Sequence, residues 1–263
     1  MHDGTGSSAP VQDSAPYRVL AVGYDLVMAH VAYDAWAEYI EDLLDRFRPG
    51  ARTILELGCG TGSLALELQP RGPFRYLATD REPQMIRVAR RKAEHLGRSV
   101  LFDVADFTSF RVAEPVDAVL LLYDGLNYLL EPAPIRSMLA CVHAALAPGG
   151  VFVFDQSTPA NSINNADFFE DEGEQDGFRY VRRSAYDPEA RLHTTTFEIT
   201  IDGRTFVERH VQRAYTRAEM QALIDETPFE VVAAFDGFSD DEAHDDTERI
   251  HWVLRRREAA PAS

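Results

Sequence analysis

The stretch from residue 54 to residue 66 constrains the fold more than any other part of this chain. A short apolar run ends with an acid at Glu56, and glycines follow at alternate positions, Gly58, Gly60 and Gly62. From Ser63 onward, apolar residues recur at helical spacing. This order predicts a buried parallel strand that turns sharply into a helix. The glycines permit turn conformations closed to other residues and let a ligand approach the backbone, where the first amides of the helix would face it.

Strand-like and helix-like segments alternate along much of the chain. After the glycine loop the pattern predicts strands at 74–79, 100–102, 116–122 and 151–154, with helices at 82–95 and 132–147 between them. A helix is also predicted at 25–47, a strand at 52–57, and a helix at 216–226 followed by strands at 229–235 and 250–255. Such alternation is typical of a parallel sheet with helices on both faces. We therefore predict an α/β fold, doubly wound around a mainly parallel seven-stranded sheet.

The alternation is interrupted between residues 160 and 215. β-rich segments at 178–186, 192–201 and 204–215 are separated by turn residues, and Asp202-Gly203 is a strong signal for a two-residue hairpin turn. That turn would pair Phe197 with Glu208 and Ile199 with Phe206. One face of the hairpin would then carry a mixed apolar and polar set: His193, Phe197, Ile199, Phe206, Glu208 and His210.

These patterns suggest a domain organisation. Residues 1–16, rich in Gly, Ser, Ala and Pro, are predicted to form a disordered tail. Residues 17–159 and 216–258 would form the core, and the antiparallel β insertion at 160–215 would cap the substrate side. The segment before the core has no apolar stretch, and no run approaches the ~18 apolar residues that span a bilayer, so we expect a cytoplasmic protein without a membrane partner.

The charge of the chain is strongly negative. With 43 acids against 26 lysines and arginines, the formal net charge is -17, and Lys92 is the one lysine. Such a field repels nucleic acid, so we expect no DNA partner. An acidic, lysine-poor surface suits a salt-rich cytoplasm, but a genome that favours arginine codons explains it as well. The two cysteines, Cys59 and Cys141, do not suggest a disulfide framework or a metal site.

Four motifs in a fixed order resemble those of the class I S-adenosylmethionine-dependent methyltransferases. They are Glu56-Leu57-Gly58-Cys59-Gly60-Thr61-Gly62, then Asp80, then Asp106-Phe107, then Leu146-Ala147-Pro148-Gly149-Gly150. The resemblance extends over roughly residues 20–255. The segment Tyr123-Asp124-Gly125-Leu126-Asn127-Tyr128-Leu129 and the β insertion look like a narrower branch of small-molecule methyltransferases, which includes sugar-amine and peptide-amine N-methylating enzymes.

The resemblance implies that S-adenosylmethionine binds across the carboxyl ends of the strands. Glu56 would help hold the ammonium group, Asp80 would accept the ribose hydroxyls, and Asp106 would accept from the adenine amino group. Each acid could instead be a helix cap or a loop carboxylate. The full set of implied cofactor-binding residues is Tyr33, Glu56, Gly58, Cys59, Gly60, Gly62, Asp80, Arg81, Met85, Asp106, Phe107, Leu122 and Asn127.

The resemblance places the chemistry just after the predicted strand at 116–122. Tyr123, Asp124 and Tyr128 are the candidate catalytic residues, where Asp124 could orient or deprotonate an amine and the tyrosines could cradle a cation. Tyr128 could equally be a core residue. Tyr24, Tyr33 and Trp36 could form the opposite wall of the site. We expect an enzyme that methylates an amine or a hydroxyl of a small molecule, as a monomer or a homodimer.

Three other functions fit part of this pattern. A methyltransferase of protein or RNA would keep the same fold and cofactor, although the Asn-Pro-Pro-Tyr type of signature that marks methylation of nucleic-acid bases is missing. A non-catalytic S-adenosylmethionine-binding module would keep the cofactor alone. A nicotinamide dehydrogenase would need Gly-x-Gly-x-x-Gly with Gly or Ala at position 63, where this chain has Ser63.

Overall fold

The computed structural model describes residues 11–257 and contains two β-sheets. The strands are β1 (Gln12–Ser14), β2 (Thr53–Leu57), β3 (Arg75–Asp80), β4 (Val100–Val104), β5 (Val116–Leu121), β6 (Leu146–Ser157), β7 (Glu170–Gln175), β8 (Phe178–Asp187), β9 (Leu192–Ile201), β10 (Arg204–Arg213), β11 (Phe229–Asp236) and β12 (Arg249–Arg256). The α-helices are α1 (Tyr24–Val27), α2 (Tyr33–Phe47), α3 (Ser63–Leu68), α4 (Pro83–Leu96), α5 (Pro132–Ala145), α6 (Pro159–Asn164) and α7 (Arg217–Asp225). Within these residues no helix combines the length and the apolar character needed to cross a membrane.

The larger sheet confirms the predicted α/β fold. Its seven strands lie in the order β11-β12-β6-β5-β2-β3-β4. The five strands from β6 to β4 pair in parallel, while β12 is antiparallel to both of its neighbours. Helices α2, α3 and α4 pack on one face and α5 and α7 on the other. Because β2 and β5 are covered on both faces, their sequences are almost continuously apolar.

The strand order reverses between β2 and β5. From β2 the chain moves outward to β3 and β4, and it then returns to place β5 and β6 on the other side. In open α/β sheets, ligands bind in the crevice at the carboxyl ends of the strands where the order reverses. The glycine loop after β2 and the segment after β5 both lie at this position.

The insertion forms most of the smaller sheet, which has the order β1-β10-β9-β8-β7. The hairpin register is confirmed, because Phe197 pairs with Glu208 and Ile199 with Phe206. The sequence did not predict α6 or β7. The β7 segment Glu170–Gln175 lacks apolar alternation, and it pairs as an edge strand beside β8.

The predicted tail is wrong over residues 12–14, which form β1 parallel to β10. The open edge of β10 offers backbone partners to this polar segment, so its composition does not decide its conformation. Residues 1–10 of the predicted tail lie outside the described residues, as does residue 258 of the predicted core. The predicted helix at 25–47 is also wrong as a single element, since it is divided into α1 and α2.

Candidate active site

A cavity of about 600 Å³, called here the main cavity, opens where the strand order reverses. Its volume is in the range of small-molecule sites. Thirteen of the sixteen predicted site residues line it: Tyr33, Glu56, Gly58, Cys59, Gly60, Asp80, Arg81, Met85, Asp106, Phe107, Leu122, Tyr123 and Tyr128. Gly62, Asp124 and Asn127 are not among the lining residues. The sequence pattern therefore located the cavity and most of its wall.

The glycine loop needs its glycines for two different reasons. Gly58, Gly60 and Gly62 have φ angles of +63°, +54° and +75°, a region that favours glycine. A Cβ on Gly62 would lie 2.7 Å from the Phe102 ring, so this residue serves the packing of the loop and not the cavity wall. The predicted role of Gly62 in binding a cofactor is not supported. Cys59 is buried, and burial raises the pKa of its thiol, which favours a space-filling role over a reactive one.

Asp80, at the end of β3, is hydrogen-bonded to the backbone of the glycine loop. Its carboxylate accepts hydrogen bonds from the backbone N–H groups of Gly60 at 3.0 Å and Glu82 at 2.8 Å. Burial raises the pKa of Asp80, while these two hydrogen bonds oppose the rise. A carboxylate has about four acceptor positions, so capacity remains for a diol in the cavity.

Glu56 presents a buried carboxyl group at the end of β2. Its side chain accepts a hydrogen bond from the Tyr76 hydroxyl at 2.8 Å, and the residue is 3% exposed. Burial raises its pKa to about 8, so the group is mostly protonated at pH 7 in the free protein. A cation placed beside Glu56 would favour the ionised form.

Asp106 holds a turn after β4 and also lines the main cavity. Its Oδ1 accepts from the backbone N–H of Thr108 at 2.8 Å and from the Thr108 hydroxyl at 2.6 Å, which holds the turn after β4. Burial raises the pKa of Asp106, but these bonds outweigh it, and the net shift is downward. Asp106 also lines the main cavity, where an ionised carboxylate can accept from an amino group.

An ion pair fastens α1 to the glycine loop. Lys92 Nζ lies 2.8 Å from Asp25 Oδ2 and donates to the Ser63 hydroxyl at 2.7 Å. The Thr61 hydroxyl donates to Asp25 Oδ1 at 2.5 Å. Because Thr61 and Ser63 both line the main cavity, this cluster joins three elements at its rim.

The 123–128 segment, which follows β5, begins with two non-glycine residues in the left-handed region. Tyr123 and Asp124 both have a φ angle of 59°. The Asp124 carboxylate forms a two-pronged ion pair with Arg249, at 2.6 and 3.0 Å, and Arg249 also pairs with the buried Asp155. Burial raises the pKa of Asp155 to about 7, which the charge of Arg249 opposes. The structure does not support the predicted role of Asp124 as a base, since its carboxylate is held by Arg249 outside the main cavity.

Asn127 also departs from its predicted role in cofactor binding. Its amide nitrogen donates to the carbonyl groups of Ser157 at 2.8 Å and Arg213 at 2.7 Å. Its amide oxygen accepts from the Ser157 N–H at 3.1 Å. Asn127 is 1% exposed, and it ties the 123–128 segment to β6 and β10.

Aromatic side chains form the far wall of the main cavity. Tyr123 packs against Tyr33 with ring centroids 5.3 Å apart and against Trp36 at 4.6 Å. The Tyr123 hydroxyl is buried and makes no hydrogen bond within residues 11–257. Tyr24 lines the cavity, as predicted for that wall, whereas Trp36 belongs to the core behind it.

The sequence did not single out Tyr17, which lies in the same wall. Its hydroxyl is hydrogen-bonded to that of Tyr128, whose hydroxyl also lies 3.0 Å from His210 Nδ1. On the far side of the ring, His210 Nε2 is 3.4 Å from Glu208 Oε2. Glu208 in turn accepts from the backbone N–H of Tyr17 at 2.7 Å. The available signal was the hairpin face that carried His210 and Glu208, but the contact of Glu208 with Tyr17 joins residues 191 positions apart.

The comparisons with known proteins agree on one activity. Residues 54–150, which include the glycine loop, Asp80 and Asp106, match the sequence model of a family described as "Methyltransferase domain". The chain is an S-adenosylmethionine-dependent methyltransferase. A Geobacillus sp. protein named as a methyltransferase is 27% identical to it over 246 residues, which is 91% of this chain and 99% of that protein.

Two solved structures share the fold of this methyltransferase. An S-adenosylmethionine-dependent methyltransferase from Clostridium acetobutylicum has a TM-score of 0.76 at 21% identity, over 91% of this chain and 98% of the other. A sugar N-methyltransferase from Streptoalloteichus sp. has a TM-score of 0.73 at 23% identity, over 98% and 100%. Because the second match covers 98% of this chain, the shared fold includes most of residues 160–215.

Proposed function

We propose that this methyltransferase transfers a methyl group from S-adenosylmethionine to an amine of a small molecule. The observation that carries the proposal is the chain of contacts from Tyr128 in the cavity wall to His210 and then to the buried Glu208. An amine must lose a proton when it becomes a methylated neutral product, and these side chains provide acceptors for it. The fold similarity to a sugar N-methyltransferase supports the same acceptor chemistry.

The main cavity fits S-adenosylmethionine through its donor and acceptor groups. Glu56 supplies a carboxyl group for an ammonium, Asp80 for a ribose diol, and Asp106 for an adenine amino group. The positive φ angles of Gly58 and Gly60 keep side chains out of the space over the loop. When bound there, S-adenosylmethionine supplies an activated methyl group on a cationic sulfonium.

The residues of the chain then have three tasks. The tyrosine rings of the wall favour a cationic amine through their negative faces and exclude water. The Tyr128 oxygen can accept the proton of the amine while its own proton moves to His210 Nδ1. Glu208 lies on the opposite side of the His210 ring, where an ionised carboxylate favours the charged imidazolium that this transfer produces.

A hydroxyl acceptor remains the second candidate for the same cavity. Its pKa is much higher than that of an ammonium, so its reaction depends more strongly on a base. Substitution of His210 by Gln therefore distinguishes the two acceptors: transfer to an amine supplied at high pH, where it is already neutral, should be retained, whereas transfer to a hydroxyl should be lost at every pH.

Both acceptor candidates require that S-adenosylmethionine binds in the main cavity, and calorimetry with S-adenosylmethionine tests this binding. Asp80→Ala should weaken binding about 100-fold, because hydrogen bonds to a charged group contribute about 1.5–3 kcal/mol each. The matched control is Asp103→Ala, which removes an exposed acid from the neighbouring strand β4, outside the main cavity. Equal binding by Asp80→Ala and the wild type would overturn the proposed site. Turnover on protein or RNA, with none on small amines, would overturn the acceptor class.

A further inference from the structure

A second cavity, of about 370 Å³, lies on the other side of the 123–128 segment. Tyr123, Gly125 and Tyr128 line the main cavity, whereas Asp124 and Asn127, from the same segment, line the second one. The chain at the start of α2 contributes to both as well, since Tyr33, the first residue of α2, lines the first and His30, just before it, lines the second. The two spaces are therefore neighbours with two walls in common, and the far walls of the second cavity come from α6 and the insertion sheet.

The side chains around the second cavity are mostly polar, and their charge is opposite to that of the molecule. Arg182 of β8 and Arg213 of β10 line it, and Asp124 is the one acid among the lining side chains that the structure describes. The carboxylate of Asp124 forms a two-pronged ion pair with Arg249, which also pairs with the buried Asp155. In a chain with a net charge of -17, a cavity whose described lining carries two arginines and one ion-paired acid is a local exception.

Arg182 has unused hydrogen-bonding capacity at this position. Its Nε is buried and makes no hydrogen bond within the described part of the chain. Its other contacts are weak, with Nη2 3.5 Å from the Phe168 carbonyl oxygen and 3.7 Å from Asp171. Asp171 already accepts from the Tyr180 hydroxyl at 2.8 Å. A buried guanidinium edge without a partner is costly, and a planar anion satisfies it with two parallel hydrogen bonds.

Neutral donors and acceptors surround this arginine. His193 Nδ1 lies 3.1 Å from the Ser162 hydroxyl, and burial lowers the pKa of His193, so the ring is neutral at pH 7. The Ser184 and Thr195 hydroxyls are hydrogen-bonded to each other at 2.8 Å beside it. Arg213 is more firmly held, by the Leu130 carbonyl at 3.2 Å and over the Tyr215 ring, but its Nε is also buried and makes no hydrogen bond to the groups that the structure describes.

We propose that the second cavity binds an anionic group, a carboxylate or a phosphate ester, of the molecule that receives the methyl group, with Arg182 as the principal contact. This inference rests on the proposed function, because it places the anionic end of the acceptor in the second cavity and its nucleophile at the shared wall. Specificity then has two parts. The main cavity selects the cofactor and the reacting group, and the second cavity selects the charge of the remainder of the acceptor.

Direct binding of inorganic phosphate and of acetate tests the anion site without any turnover. The readouts are the His193 ring signals and the arginine Nε–H signals in ¹⁵N NMR spectra. The wild type should show saturable shifts, and Arg182→Gln should raise the apparent Kd at least about tenfold, the effect of losing one charged hydrogen bond. Arg182→Lys keeps the charge without the planar fork, so its Kd should lie between the two.

The matched control is Arg179→Gln on the same strand, an exposed arginine paired with Glu172 outside the cavity, which should bind phosphate as the wild type does. Stronger binding of phosphate than of acetate identifies a phosphate ester, and the reverse identifies a carboxylate. Absence of saturable shifts in the wild type, or equal affinity in Arg182→Gln, would overturn the proposal. Retained S-adenosylmethionine binding by Arg182→Gln shows that the variant is folded.

The role of the anion in the acceptor is tested separately. Wild-type protein is incubated with trideuteromethyl S-adenosylmethionine and a small-molecule extract, and labelled products are separated on an anion exchanger at neutral pH. A retained product, made far more slowly by Arg182→Gln, supports the inference. An unretained product overturns it while leaving methyl transfer intact. Loss of cofactor binding in the wild type would instead count against the proposed function, so the two failures are distinguishable.

Discussion

At the scale of single residues, the protonation of Glu56 is the feature with the most direct consequence for cofactor binding. Burial raises the pKa of this carboxyl group to about 8, so the group is mostly protonated at pH 7. A cationic ligand favours the ionised carboxylate, so binding should release close to one proton. Affinity should therefore rise with pH up to about 8 and level off above it.

Calorimetry in two buffers of different ionisation enthalpy measures this proton release. At pH 7 the apparent binding enthalpy should depend on the buffer in the wild type and lose that dependence in Glu56→Gln. Glu67→Gln, an exposed glutamate on α3, is the control and should keep it. A buffer-independent enthalpy for the wild type would show that Glu56 does not change its protonation on binding.

His210 provides a second test at this scale, which separates a role in proton transfer from a role in packing. Its ring packs on Tyr17 at 4.6 Å and on Phe197 at 5.2 Å, so a smaller side chain would also disturb the wall. With an amine acceptor, His210→Gln should lower kcat about 10- to 100-fold at pH 7 and recover at high pH. A pH-independent defect would indicate packing alone.

At the scale of elements, Glu208 joins the N-terminal segment to the insertion sheet. It is fully buried and accepts from the backbone N–H groups of Tyr17, Val19 and Leu20 at 2.7, 2.6 and 3.1 Å. Burial raises the pKa of Glu208, but His210 and the N–H groups of Val19 and Leu20 outweigh it, and the net shift is downward. Its stabilising contribution is therefore present above pH 4.5, the unfolded value, and is lost as the pH falls through the lowered folded value.

Glu208→Gln should release this segment, because an amide presents only one acceptor to three donors. We expect a loss of about 2 kcal/mol in the free energy of unfolding and weaker S-adenosylmethionine binding. Trypsin cleavage after the exposed Arg18 should also become faster. Glu198→Gln, on the opposite face of the same hairpin, should change neither. Unaltered cleavage in Glu208→Gln would contradict the anchoring role.

Asp117, at the start of β5, similarly fixes the junction between α2 and β2. It accepts from Arg48 Nη2 at 2.8 Å and from the N–H groups of Arg52 and Thr53 at 2.9 and 3.0 Å. Burial raises its pKa, but these bonds outweigh it and lower the value to about 2, against 3.8 for the free side chain. The contribution to stability, about 2 kcal/mol, is complete above pH 4 and lost as the pH falls towards 2.

Asp117→Asn should therefore be less stable than the wild type at pH 7, and the difference should shrink as the pH falls from about 4 to about 2. Urea unfolding at a series of pH values measures it. Asp45→Asn, an exposed acid of α2, serves as the control for the loss of one charge. If the stability difference between Asp117→Asn and the wild type were unchanged at pH 2, the loss of stability would come from the shape of the new side chain and not from the lost charge.

The elements also show what local sequence can and cannot predict. The strand β2, the glycine loop and the hairpin β9–β10 follow from short patterns, because their conformations depend on neighbours within a few residues. The strands β1 and β7 do not, because polar edge strands are held by the backbone of a partner and not by their own apolar alternation. The pairing of Asp124 with Arg249 joins residues 125 positions apart, so the residue types alone suggested a free carboxylate.

At the scale of the whole molecule, the acidic surface makes salt dependence testable. With a net charge of -17, repulsion among the acids should exceed the small contributions of the exposed ion pairs. Raising NaCl from about 0.1 to 1 M at pH 7 should therefore raise the melting temperature. Near the isoelectric pH of about 4.8 the same salt step should have little effect. A melting temperature that falls with salt at pH 7 would show that ion pairs dominate.

The single lysine of the chain is the feature whose position offers a practical consequence. Lys92 is the one side-chain amine in the protein, and it bridges α4, α1 and the glycine loop at the rim of the main cavity. A fluorophore introduced by amine chemistry under mild conditions would therefore mark one side chain, beside the main cavity. Because Lys92 is paired with Asp25 of α1, the rate at which it accepts such a label should increase whenever α1 moves away from the glycine loop. The measurement needs no engineered attachment point.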